Sequence, residues 1–422
     1  MKNNFPKAAP YIVGTEFAER FSYYGMKAIL ATFLVSNFFN PTGDPALQNE
    51  AEAHSNEITH LFTAVSYGCC ILGGFLADRV LGRYKTVVWL SVLYCIGHFM
   101  LAIFETNYQM FVIGLMLISL GAGGVKPNVS VMVGDQFDNP DDPKISKLYD
   151  MFYFSINLGA FFSTLIIPVL KKYAGAQVAF GVPGILMLVA LLIFLAGTKK
   201  YKLIPPQKSS EDGMTFSEKV KALSKVLLVF AFIPLYWALY DQNGSEWVLQ
   251  AAKMDLNFMG ITWLSEQIQV VNAVLILVFI PLFSVVIYPF LEKIGWGFIL
   301  MVLTFVLSAW IQQQIDAGIK LNIAWQLFAY TILTASEIMV SITGLEYAFA
   351  ASPKPLKSTV MSLWFFTVFL GNILVSFINN SIGSKGFFSE FTGASYFLLF
   401  AGMMAVNTLL YYVAIRFTRS SN

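Results

Sequence analysis

Apolar runs of about 20 residues, the length a helix needs to cross a bilayer core, recur from one end of this chain to the other. They fall near 10–36, 57–80, 85–104, 108–133, 146–170, 178–197, 222–243, 266–290, 296–315, 322–350, 356–380 and 391–416, twelve in all, with short polar breaks between them. Hydrocarbon offers no partner to an unbonded N–H or C=O, so such runs are read as helices. Composition agrees: 12% of the 422 residues are charged and 57% are hydrophobic, whereas a soluble domain carries about 25% charged residues. A chain this poor in charge cannot clothe a water-facing surface. That excludes a soluble enzyme, a nucleic-acid binder and a disordered scaffold. The formal net charge of +2 leaves no basic excess to grip a phosphate backbone. Three cysteines, with Cys69 and Cys70 adjacent, make neither a disulfide framework nor a spaced thiolate metal site. The reading is an all-α integral membrane protein.

The first run holds Glu16, Glu19 and Arg20, so it is not the apolar core of a cleaved signal peptide and is expected to stay in the mature protein. Nineteen of the 27 basic residues fall in the breaks on one side, five fall on the other and three lie inside runs. Basic loops stay in the cytoplasm, which places both termini there. An even number of spans also requires the termini to share a side. The longest polar break, TKKYKLIPPQKSSEDGMTFSEKVK at 198–221, has no apolar face and reads as a cytoplasmic linker. It divides the chain into six-helix bundles at 1–197 and 222–422. FLADRVLGR (75–83) and PFLEKIGWG (289–297) each put an acid, a base and a glycine at corresponding tight turns. That faint repeat suggests two parallel halves, as in the major facilitator architecture.

Ionisable groups inside the spans carry the most information, because each costs about 2.5–3.5 kcal/mol near the bilayer centre on insertion scales. The deep set is Glu16, Glu19, Arg20 and Lys27 in the first span, His60 in the second, Lys126 in the fourth, Asp241 in the seventh and Glu337 in the tenth. If all three fixed cations pair, one carboxylate is left over. A carboxylate in low dielectric without a fixed partner takes up a proton, so the set points to proton carriage. Glu16, Glu19, Arg20, Tyr23, Tyr24 and Lys27 share one broad helical face. Four charges and two phenols exceed what helix packing requires. GAGGVKPN (121–128) is not a phosphate loop, since Pro127 follows Lys126 and no strand precedes it. Its small residues permit close helix contact, and Pro127 frees a carbonyl. Tyr153 and Asn157 stand one turn apart just before Gly159, while Asn272 and Ser341 add polar groups beside Glu337. Trp237 and Trp364 offer aromatic surface. His98 reads as a packing histidine and His54 as a loop residue.

These blocks resemble the proton-coupled oligopeptide transporter family of the major facilitator superfamily. Glu16-x-x-Glu19-Arg20 followed by FSYYG is similar to the family's ExxER motif. GGFLADRVLGRYKTV (73–87) and FYFSINLGA (152–160) resemble its two signatures. GAGGVKPNVS with GDQF, WALYDQNGS (237–245) and SEIMVSITGLEY (336–347) resemble its fourth-, seventh- and tenth-span blocks. The resemblance runs through both halves. It implies a major facilitator fold of twelve transmembrane helices in two six-helix bundles, and a symporter that imports di- and tripeptides with protons by alternating access.

By the same resemblance, Glu16, Glu19 and Arg20 exchange with Lys126 in proton coupling, with His60 and Asp241 also handling protons. Lys126 and Lys27 attract the peptide carboxylate. Glu337, with Asn157 and Asn272, holds the ammonium. Tyr23, Tyr24, Tyr67, Tyr153, Ser341, Trp237 and Trp364 line side-chain pockets, and Asn128 joins the substrate-binding set. Lys27 and Asp241 form a gate. The family usually has Arg at position 27, and lysine lacks the bidentate fork. Many bacterial members insert two further helices between the halves, for which 198–221 is too short and polar. Neither a metal nor a cofactor is expected, nor any enzymatic activity, and the partners are peptides, protons and lipid around a monomer in the cell membrane. Transport of nitrate or another small solute on the same fold, and a non-transporting peptide sensor, remain as alternatives.

Overall fold

A computed structural model describes residues 5–139, 142–206, 215–284, 290–353 and 356–420. Among them ten helices, from Pro45–Leu81 to Ala394–Arg416, are long and apolar enough to cross a membrane, and Ser265–Phe279 is a shorter apolar helix. Helix α1 (Ala9–Leu34) has the length to cross but carries the four ionisable groups noted above. These correspond to the twelve expected spans. Within the eighth span, residues 285–289 lie outside the described residues, as do 207–214 of the expected linker and the first position of 289–297.

The remaining helices of the first half are α2 (Gln48–Leu76), α3 (Arg83–Ile103), α4 (Tyr108–Asp135), α5 (Lys144–Ala174) and α6 (Ala176–Ala196). Helix α2 begins before the expected span, so His54 lies inside a helix and not in a loop. A short 3-10 turn, Pro45–Leu47, leads into it, capped by the Asp44 side chain on the Ala46 N–H.

The second half departs from one helix per span. The seventh span is built from α8 (Ser224–Phe230), α9 (Ile233–Tyr240) and α10 (Glu246–Ala251), preceded by α7 (Phe216–Ala222). Pro234 has no N–H for the carbonyl of Phe230 and its ring crowds that carbonyl, which breaks the helix at Ala231–Phe232. A 3-10 turn, Asp241–Gly244, makes the second break. The tenth span runs as α13 (Ala324–Glu337), a π-helical turn Ile338–Ile342, then α14 (Thr343–Ala351). Wide turns of this kind cluster at functional sites, and this one follows Glu337 directly. Helices α11 (Val270–Ser284), α12 (Phe290–Asp316), α15 (Lys357–Gly383) and α16 (Ala394–Ser420) complete the half. A hairpin of β1 (Asn257–Phe258) and β2 (Ile261–Thr262) turns at Met259 and Gly260, both with positive φ.

The chain forms two compact units. One comprises Met1–Leu30 and Val65–Glu211, the other Ala31–Ala64 and Asp212–Asn422. The C-terminal end of α1 and the first part of α2 thus pack within the second unit. In the first unit α3 packs against α4 and α6. Two glycines let helices meet there. Pro127 cannot donate to the carbonyl of Gly123, and that freed oxygen lies where a Cβ on Gly73 would stand. A Cβ on Gly159 of α5 would come within 2.7 Å of the Phe17 carbonyl and 3.1 Å of Arg20 Cβ. In the second unit α12 packs against α16 and α13, and α9 against α15, around Tyr236, Trp247, Phe298, Phe305 and Tyr330. Phe75, Trp89, Leu192 and Leu409 are exposed, as side chains facing lipid would be.

Candidate functional site

In the first unit, helical spacing brings Glu16 and Glu19 to either side of Arg20. Arg20 Nε stands 2.7 Å from Glu16 Oε1 and 2.8 Å from Glu19 Oε2. The three residues are 1%, 0% and 7% exposed. The Tyr94 hydroxyl, from α3, donates to Glu19 Oε1 at 3.1 Å. Tyr94 stacks on His98, whose Nε2 lies 2.9 Å from Ser22 Oγ. Ser22 gives its hydrogen to the Pro183 carbonyl at 2.6 Å, so it accepts from His98 and places that proton on Nε2. His98 thus ties α3 to α1.

Lys126 enters from α4 and is 7% exposed. Its Nζ lies 3.2 Å from the centre of the Tyr23 ring and 5.2 Å from that of Tyr67. It makes no hydrogen bond among the described residues. The two rings hold the ammonium through their π faces, and a lysine held this way keeps its donors for an incoming acceptor. Tyr24 meets Tyr23 edge to face at 5.5 Å. Lys27 is half-buried further along α1, and Tyr153 is exposed on α5. Asn157 spends an amide hydrogen on the Tyr153 carbonyl. Asn128 donates to the carbonyls of Gly73 and Gly124, tying α4 to α2.

In the second unit a chain of hydrogen bonds runs through His60, which is 1% exposed. Asn372, on α15, donates Nδ2 to Asp241 Oδ2 at 2.6 Å and to the Val368 carbonyl at 3.0 Å. Its oxygen therefore faces His60 Nδ1 at 2.7 Å and requires a proton on that nitrogen. His60 Nε2 meets Ser245 Oγ at 2.8 Å. A neutral His60 accepts there from the serine, and a second proton on Nε2 turns the hydroxyl around.

Glu337 ends α13. Its Oε2 accepts from Asn272 Nδ2 at 2.8 Å, and Asn272 also donates to Thr334 Oγ1 at 3.1 Å. The Tyr240 hydroxyl reaches Asn272 Oδ1 at 3.4 Å. Ser341, in the wide turn, donates to the Glu337 carbonyl at 2.6 Å. Trp237 and Trp364 meet edge to face at 5.7 Å, with Tyr240 against Trp237 at 5.4 Å. The Trp237 indole N–H has no acceptor among the described residues. A Cβ on Gly344 would touch Trp364.

The expected residues thus gather as one set around Arg20 and Lys126 and another around Asp241, His60 and Glu337. Lys27 belongs to the first unit and Asp241 to the second. Tyr94, Ser245, Asn372 and Tyr240 went unnoticed in the sequence. Asn372 is a lone amide within TVFLGNILVS, and nothing in that run sets it apart from the amides of other spans.

A profile described as the POT family matches residues 84–216 and 212–385. Those stretches cover more than half of the chain. The chain belongs to the POT family. The crystal structure of the POT family transporter PepTSo matches it with a TM-score of 0.89 at 31% identity, over 99% of both chains. A second structure, of a proton dependent oligopeptide (POT) family transporter, gives 0.85 at 33% identity over 95% of this chain and 99% of that one. The first of these spans Glu16, Glu19 and Arg20, which precede the profile match. The fold is therefore the major facilitator fold of these transporters, as the sequence implied. Among curated proteins, peptide transporter family 1 of Drosophila melanogaster is 34% identical over 368 residues, 74% of this POT chain and 48% of the relative. Human solute carrier family 15 member 2 is 35% identical over 406 residues, 82% and 54% of the two chains. The chain spans about half the length of the curated relatives it matches.

Proposed function

We propose that this POT chain is a proton-coupled symporter of di- and tripeptides, working by alternating access in the cell membrane with both termini cytoplasmic. One observation carries the reading: a buried Arg20 shared by Glu16 and Glu19, beside a buried Lys126 that retains its hydrogen-bonding capacity. Peptide transport by the named relatives supports it. A proton on either carboxylate loosens Arg20. Lys126, with Lys27, then takes the peptide carboxylate. Glu337, steadied by Asn272 and with Asn157 contributing, takes the ammonium. An extended chain spans about 3.3–3.6 Å per residue, so a two-ended clamp selects length and termini over side chains. Tyr23, Tyr24, Tyr67, Tyr153, Trp237, Ser341 and Trp364 form tolerant walls. Lys27 and Asp241 act as a gate, and 198–221 links the two halves. The driving force is the proton gradient, without cofactor, metal or catalysis, in a monomer surrounded by lipid. One proton crossing 100 mV supplies about 2.3 kcal/mol, enough for roughly fifty-fold accumulation of a neutral peptide at about 1.4 kcal/mol per decade.

The test is uptake of labelled dialanine into proteoliposomes, with and without an inward proton gradient, for the parent and Glu337→Gln. Gradient-dependent accumulation lost in the variant is the expected result. Equal uptake with and without the gradient would sink proton coupling, and competition by nitrate without competition by dipeptides would reassign the substrate.

A further inference from the structure

Apart from the residues above, the second unit has a small polar pocket of about 30 Å³, partly open to its surroundings. Glu52 and Asn56 of α2, Glu246 of α10, Asn379 of α15 and Tyr396 of α16 stand in its wall. A water needs roughly 10–15 Å³ of such space, so the cavity has room for one small particle.

The donors and acceptors around it do not balance. Asn56 Nδ2 donates to Glu246 Oε2 at 2.5 Å. The opposite amide orientation would press Oδ1 against a carboxylate, so chemistry dictates this one. Asn56 Oδ1 is then left without a donor among the described residues, although Asn56 is 1% exposed. Glu52 is provided for, accepting from Lys253 Nζ at 2.8 Å and Gln48 Nε2 at 2.7 Å. Glu246 has the Asn56 amide as its hydrogen-bond donor among the described residues. Asn379 gives its amide to Tyr396 and the Val375 carbonyl.

The charge does not balance either. Glu52, Lys253 and Tyr396 face Glu246. Asp316 bears on the same Lys253 and accepts from the Ala394 N–H at 3.2 Å. One ammonium therefore stands among three carboxylates.

We propose that this cavity binds a single monovalent cation of sodium size, with the Glu246 carboxylate and the Asn56 amide oxygen among its ligands. A water would satisfy Asn56 Oδ1 but leave the excess charge. Among the described residues no group of three His, Cys, Asp or Glu gathers as a metal site, and calcium takes six or more oxygens, about 2.3–2.6 Å away. Oxygen ligands likewise select a hard cation over a soft metal. Because its walls come from α2, α10, α15 and α16, the bound cation pins the beginning of α2 within the second unit.

The experiment is thermal unfolding of the full chain in detergent at pH 8, in sodium, potassium or choline chloride at equal ionic strength. Sodium should raise the midpoint by several degrees along a saturable curve, potassium less and choline not at all. Asn56→Ala and Glu246→Gln should erase the sodium dependence, and Lys385→Ala, which removes only the exposed partner of Glu50, should keep it. Direct binding of radioactive sodium, read by scintillation proximity, covers the case in which Glu246→Gln fails to fold, with Asn56→Ala as the comparison. Equal midpoints in sodium and choline would overturn the proposal, as would sodium dependence surviving in Glu246→Gln. A midpoint that follows pH with no cation dependence would assign the site to a proton instead. No arm reads peptide uptake, so the result stands apart from the transport reading.

Discussion

Within the candidate site, the two units manage buried carboxylates in different ways. In the first, Glu16 and Glu19 share one guanidinium, and Lys126 stands nearby on aromatic rings. Two acids and two bases cancel. In the second, Asp241 is held by Asn372 and Glu337 by Asn272, so a neutral amide steadies each acid. Charge that cancels internally reorganises when one proton arrives. An acid steadied by an amide keeps its attraction for an outside cation. The contrast gives the first unit the means to switch and the second the means to hold an ammonium.

The sharpest way to break that comparison is Arg20→Gln. Removing one member of a buried ion pair costs about 3–5 kcal/mol, and here two carboxylates lose their cation together. The expected outcome is a much lower unfolding midpoint and no gradient-driven uptake. An Arg20→Gln protein as stable as the parent would show that the acids are not charged in this fold. Asn372→Leu probes the other unit. Removing a donor from a buried acceptor costs about 1–3 kcal/mol, and Asp241 and His60 both lose a partner. A smaller fall in midpoint should accompany a changed pH profile of uptake, while Asn372→Gln should recover part of each. An effect as large as that of Arg20→Gln would erase the distinction between the units.

Gly159→Ala sets a methyl against the Phe17 carbonyl and Arg20 Cβ. Overpacking of this kind costs about 1–3 kcal/mol, and the displaced guanidinium should lower uptake more than stability. Tyr23→Leu removes the closer of the two rings over Lys126. A cation–π contact is worth about 0.5–2 kcal/mol, so the midpoint should fall slightly and the apparent affinity for peptide should change more.

The smallest expected effect lies outside the spans. Lys202 Nζ pairs with Asp138 at 2.9 Å, where Asp138 is fully exposed. That hydrogen bond and charge hold the Asp138 carboxyl below its ordinary value. A depressed carboxylate contributes above its ordinary pKa and loses the contribution as pH falls through the folded value. Solvent screens the pair, so Lys202→Ala should leave the unfolding midpoint unchanged at pH 7 and at pH 4. A measurable drop confined to pH 7 would show that the pair matters.

Much of the fold was legible because the bilayer imposes a length. Twelve runs predicted twelve spans, and the acids and bases inside them were conspicuous against Leu, Ile and Phe. Boundaries were less legible. Helix α2 starts among polar residues, just after the turn that Asp44 caps, where no hydropathy signal exists. The breaks at Ala231–Phe232 and Asp241–Gly244 have a cause in Pro234 for the first, yet proline also sits unbroken within α4, α5 and α6. Sequence alone does not say which prolines break a span.

The chain's composition and spacing by themselves determined its solvent, its helices and the chemical types that must be buried, since burial of a charge is costly wherever it occurs. Which of those groups meet is a tertiary matter. Tyr94 beside Glu19, Asn372 between Asp241 and His60, and Asn56 against Glu246 are hydroxyls and amides, common enough inside spans to carry no signal. Their roles arise only when packing removes water and leaves each polar atom one available partner.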